Sequence, residues 1–111
     1  MIQVDDVEEV DLGQAGPILE AFFSPVGCNI HVLDHINSGE IRLRPWERGA
    51  GLTQACGSGA CAGAYLAERW GLAESMVKVV MPGGVAVVHM GSTLALSGPT
   101  LHIGDYEVSD A

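Results

Sequence analysis

The sequence predicts an α+β fold: a curled sheet, in effect a partial β-barrel, around a central apolar helix. Three observations carry that prediction. Residues 58–70 form an Ala-rich, mostly apolar run containing Tyr65, Leu66 and Trp70, and Gly71 follows as a stop. Two alternating segments, 29–36 and 40–46, flank the turn signal Asn37-Ser38-Gly39. Behind the helical run come short strand-like segments separated by Gly- and Pro-containing turns. A helix that apolar needs cover, and a sheet bending around it supplies cover.

Each element has its own reason. Apolar residues recur with helical rhythm at Val10, Leu12, Ala15, Ile18, Leu19 and Phe22, with Asp11 placed to cap. Pro17 falls inside this pattern, so the helix is expected to begin near residues 13–16 or to be irregular before the proline. In the hairpin, Gly39 is expected to take a positive φ. Arg42 and Arg44 alternate with Ile41 and Leu43, which predicts one wet and one buried face. Strands are then expected at 76–81, 85–90, 93–96 and 101–103, divided by Pro82-Gly83-Gly84, Gly91-Ser92 and Ser97-Gly98-Pro99.

The 111 residues suit a single domain spanning 1–111, and an apolar content of 48% argues against disorder. The net charge of −9 sits at the ends. Residues 1–20 carry six acids, residues 101–111 carry three, and neither stretch has a Lys or Arg. The middle of the chain is formally neutral, so no basic surface is available for a nucleic acid. An acidic start is unlike a secretory leader, and no apolar run is long enough to span a membrane. An odd count of three cysteines, Cys28, Cys56 and Cys61, fits free thiols in a reduced, cytoplasmic setting.

Chemistry concentrates between residues 47 and 62. Cys56 precedes Gly57-Ser58-Gly59 at the start of the helical run, and Glu47-Arg48 lies one short loop upstream. Helix N-termini present free N–H groups and the positive end of the macrodipole, which favour a thiolate or a bound carboxylate. Gly57 and Gly59 remove Cβ atoms that would keep a ligand from the backbone. The pattern predicts acid/base work by a cysteine on a small anionic substrate. Four residues separate Cys56 from Cys61 and no second close pair exists, so no metal site is predicted. Cys61 reads as a small buried residue and Cys28 as a strand residue. His31, His35, His89 and His102 are scattered, although His31 shares a strand face with Asn29. Gly57-x-Gly59 lacks the Lys-Ser/Thr of a phosphate loop. Trp46 and Trp70 read as core or interface anchors.

The run Glu47-Arg48-Gly49-Ala50-Gly51-x-Thr53-Gln54-Ala55-Cys56-Gly57-Ser58-Gly59-Ala60-Cys61 resembles the second signature of the diaminopimelate epimerase family. Val4-Asp5-Asp6-Val7, Gly16-Pro17, Gly27-x-Asn29, Met81-Pro82-Gly83-Gly84 and Ser97-Gly98-Pro99 resemble the C-terminal half of that family in the same order. Proline racemase and the phenazine-biosynthesis isomerase fit these residues less well. The resemblance implies a cofactor-independent epimerase of an amino-acid α-carbon in lysine and cell-wall precursor synthesis. Two cysteines there face each other across the substrate, one removing the α-proton and the other returning one. Carried over, Cys56 is one of them. Gly57 and Ser58 hold the α-carboxylate through backbone N–H groups, and Asn29, Glu47 and Arg48 bind the rest of the zwitterion.

The first Cys-Gly-Asn-Gly signature, on the N-terminal catalytic domain, has no counterpart in these residues, and His31 stands where the family usually has another polar residue, often Asn. Three readings follow. The chain is a remnant, inactive as a lone monomer, whose partner domain lies on a separate chain or is lost. Or it is a homodimer rebuilding a site from two copies of Cys56. Or it is a non-catalytic small-molecule or protein-binding module.

Overall fold

The strand-forming segments assemble into one mixed sheet of seven strands in a computed structural model that describes residues 1–110. Strand β1 (Ile2–Gln3) pairs parallel with β2 (Ile30–Asn37), and β2 turns back into β3 (Glu40–Glu47), whose far end pairs with β4 (Gly51–Leu52). Parallel pairing of β3 with β5 (Met76–Met81) requires a crossover, and a helix between them supplies it. β6 (Gly84–Met90) and β7 (Leu94–Ser97) add antiparallel, giving the order β1-β2-β3-β5-β6-β7 with β4 to one side. The sheet does not close. The α+β fold predicted from sequence is the one found.

Two helices, α1 (Leu12–Phe22) and α2 (Gly57–Arg69), cover opposite faces of the sheet. Alternation along β2 and β3 decides which residues meet which helix. Leu33, Ile41 and Leu43 pack with Val77, Val79 and Val88 against Ala60, Ala64 and Ala67 of α2. That inner stripe of α2 is all Gly and Ala, so the helix lies close on the sheet. Cover is one-sided: Ala62, Tyr65 and Arg69 on the outer side of α2 are exposed.

On the other face, Ile30 and Val32 pack with Val7 and Leu12. The face expected to be wet is therefore partly covered. Beneath a 3₁₀ turn at Val7–Glu9, Asp34 is 2% exposed and accepts from the Val7 N–H at 2.8 Å and from Arg42 Nε at 2.9 Å. Arg42 Nη2 also bonds Asp34, and reaches Asp6 at 3.0 Å.

Helix α1 starts earlier than Pro17 suggested. Asp11 Oδ1 accepts from the Gln14 N–H at 3.2 Å, buried Leu12 anchors the first turn, and Pro17 is held inside the helix. Gly16 lies against the indole of Trp46, where any Cβ would overlap the ring, and Trp46 Nε1 donates to Glu20 at 2.8 Å.

Two further expectations are corrected. Gly39 has no positive φ, because Asn37 Oδ1 closes the hairpin by accepting from the Gly39 N–H at 2.9 Å. Residues 101–103 form no strand, and everything from Gly98 to Asp110 is exposed without a regular element. Pro99 cannot donate to a neighbouring strand, and the acids that follow favour water.

Candidate active site

The N-terminus of α2 is built by Cys56 itself. This residue is extended (φ −146°, ψ 109°) and serves as the N-cap, its Sγ accepting from the Gly59 N–H at 3.3 Å. Its carbonyl accepts from Ala60 at 2.8 Å, and its own N–H points to Met81 Sδ at 3.5 Å. The thiol is therefore oriented by the helix it starts, with 6% of the residue exposed. Ser58 Oγ lies 3.5 Å from Sγ. Among the described residues, the N–H groups of Gly57 and Ser58 have no acceptor, as the first donors of a helix must when no side chain reaches them.

Facing this terminus are residues just before and within β2. Asn29, His31, Ser58 and Gly59 line one open cavity of about 340 Å³. Asn29 Oδ1 accepts from the Arg48 N–H at 2.8 Å, which ties the start of β2 to the end of β3. Glu47 continues the same strand face as Pro45, the partner of His31 in the ladder, and its charge acts on the His31 ring. Asn29 and Ser58 thus share one cavity, Glu47 lies near it through His31, and Gly57, on the other side of the Cys56 cap, lines a separate cavity with Met81 and Pro99.

Arg48 does not join them with its side chain. One residue beyond Glu47, it turns to the opposite side, donates to the Val26 carbonyl at 3.0 Å and lines a cleft with Trp46 and Pro17. Only its backbone N–H serves the site, through Asn29.

His31 belongs to the site more closely than its sequence position suggested. The only available signal was its alternation with Asn29. It is 5% exposed, its Nδ1 accepts from the Trp46 N–H at 3.2 Å, and Nε2 is buried with no partner. Burial pushes the ring's pKa below its ordinary value, and the Glu47 charge opposes it. The neutral ring is therefore the form held near pH 7.

The role expected for Gly59 changes accordingly. A Cβ at Gly59 would stand 2.6 Å from His31 Nε2 and 3.1 Å from Cys56 Sγ. The space freed at Gly59 is taken by the imidazole rather than by a ligand. At Gly57 a Cβ would meet Leu96 of β7 at 3.2 Å, so that strand abuts the same terminus.

All three cysteines are free, Cys28 packing beside Ile30 and Val32 and Cys61 against the α2 core. No group of three or more His, Cys, Asp or Glu side chains converges among the described residues. A model of the family described as diaminopimelate epimerase matches residues 1–97.

Proposed function

This chain belongs to the diaminopimelate epimerase family, and from that premise we propose that Cys56 is an acid/base thiol acting on the α-carbon of a small zwitterionic amino acid of the diaminopimelate type. The observation that carries this reading is the pairing of a capping thiol with two unused donors at one helix start, Gly57 N–H and Ser58 N–H. A substrate carboxylate fits those donors. As Cys56 thiolate removes the α-proton, the electron pair left on carbon spreads into the carboxylate, where fixed N–H dipoles stabilise it. Asn29 lines the cavity and Glu47 is close enough for its charge to act on His31, a hydrogen-bonding amide and a carboxylate suited to an ammonium group.

Inversion needs a second acid on the opposite face of the carbon. These 111 residues hold one such cysteine in this setting, so the proposed monomer binds but does not invert its substrate. The second group would come from another unit, either a separate domain or a second copy of this chain. Two observations favour a unit seated beside β7. It is an outer strand with Leu94 and Leu96 exposed, and Leu96 touches the helix start that carries Cys56. A non-catalytic binding module is the competing reading.

The test is exchange of the α-proton. The purified chain is incubated with LL- and meso-diaminopimelate in deuterated buffer and followed by NMR, with Cys56→Ala in parallel. Exchange in the wild type that falls at least a hundredfold in the variant is the expected result, with inversion only where a second unit is present. Equal binding by both proteins with no exchange at any concentration would leave the binding module as the answer.

A further inference from the structure

His31 Nε2 is a buried polar atom with no partner, and such atoms in folded proteins call for a reason. Its neighbourhood supplies one. Nε2 and Cys56 Sγ both border the point where a Gly59 Cβ would stand, at 2.6 and 3.1 Å, so they lie within about 5.7 Å of each other, near neighbours that no hydrogen bond joins in this structure. The sulfur already accepts one N–H, from Gly59, and has lone pairs to spare.

Which ring nitrogen carries the proton follows from the other side of the imidazole. Nδ1 faces the Trp46 N–H, a donor that cannot turn away because it belongs to the β3 backbone. Nδ1 must therefore offer its lone pair, and a neutral ring then carries its hydrogen on Nε2. A proton on Nδ1 would set two donors against each other and leave the Trp46 N–H unpaired.

We infer that His31 is a positioning residue for Cys56: its Nε2–H is a second hydrogen-bond donor, beside Gly59 N–H, for the sulfur when that sulfur bears negative charge. The ring gives up no proton and takes none. A Cys–His pair in which histidine deprotonates the thiol needs a bare Nε2, and the Trp46 N–H forbids that tautomer. His31 is accordingly not the missing second acid. Its work is to donate to the sulfur once that sulfur is charged, with Gly59 left without a Cβ so that the ring can approach. The use of that sulfur as a base rests on the function proposed above, but the tautomer and the donor do not.

The experiment is ¹⁵N–¹H NMR of the imidazole in the full chain, for wild type and Cys56→Ala, joined to site-resolved alkylation of Cys56 by iodoacetamide in wild type, His31→Gln and His31→Leu. Expected are a protonated Nε2 with a bare Nδ1, and an Nε2–H resonance that moves when the sulfur is removed. Alkylation of Cys56 is expected to change by about tenfold or more in His31→Leu, with His31→Gln, which keeps a donor, nearer wild type. A proton on Nδ1, or an Nε2–H indifferent to Cys56→Ala, would overturn the inference even if α-proton exchange were found. If the NMR result holds and exchange is absent, the donor stands and only the proposed reaction falls.

Discussion

Cys56 draws its orientation from its own helix, which makes the residues around it unusually sensitive to small additions of volume. Gly59 is the sharpest case. In an ordinary helix interior, Gly→Ala is worth about 1 kcal/mol in favour of Ala. Here the new Cβ would press on both the His31 imidazole and the Cys56 sulfur, and overpacking of that kind costs roughly 1–3 kcal/mol. Gly59→Ala is therefore expected to be neutral to destabilising by about 2 kcal/mol in a denaturant titration, and to weaken ligand binding at the cavity lined by Asn29, His31 and Ser58. A clear gain in stability would mean that the ring has free room to retreat. His31 could be suspected from its place two residues after Asn29, but its contact with Gly59 was not legible, because β2 and α2 are separated by a hairpin and a loop.

At the level of elements, the junction between the 3₁₀ turn and the sheet is the most electrostatically constrained part of the fold. Burial alone would push the Asp34 carboxyl up, but the Arg42 hydrogen bonds, the Val7 N–H and the Arg42 charge outweigh it and hold the group below the usual carboxylate range. A folded-state pKa below the unfolded value of about 3.9 means that this stabilisation is complete above the unfolded value. It is lost as pH falls through the lower folded value. The melting temperature is expected to be level from neutrality to about pH 5 and to drop below about pH 4, more steeply in wild type than in Asp34→Asn. Parallel acid profiles for the two proteins would refute the assignment. Asp34→Ala leaves the buried Val7 N–H without its acceptor, a loss of about 1–3 kcal/mol. The alternation of Arg42 and Arg44 with Ile41 and Leu43 was readable in sequence. That the arginine side would be roofed by residues 6–9 was not, since it depends on a pairing between segments nearly thirty positions apart.

At the scale of the whole molecule, an open sheet with an exposed edge sits beside the candidate site. β7 carries exposed Leu94 and Leu96, and Leu101, Ile103, Tyr106 and Val108 beyond it are exposed as well. Unpaired edges and clustered apolar side chains favour association. If a second copy completes the site, the weight-average mass in sedimentation equilibrium rises with concentration, and Leu94→Lys suppresses the rise. A mass fixed at that of one chain throughout would exclude the homodimer and leave a different partner. No helix among the described residues is long and apolar enough to cross a membrane.

The α+β class, the positions of most strands along the chain, the start of α2 at Cys56 and the family signature were all determined by the sequence itself. Each rests on a local rule: alternation along a strand, a glycine stop after a helix, a capping residue followed by small ones. Tertiary structure decided the rest. It turned the Arg48 side chain toward Val26, set His31 against Cys56 through the gap at Gly59, and left residues 101–103 without a partner strand. These outcomes depend on which distant elements pack together and in what register, and a side chain's surroundings are not encoded in its immediate neighbours.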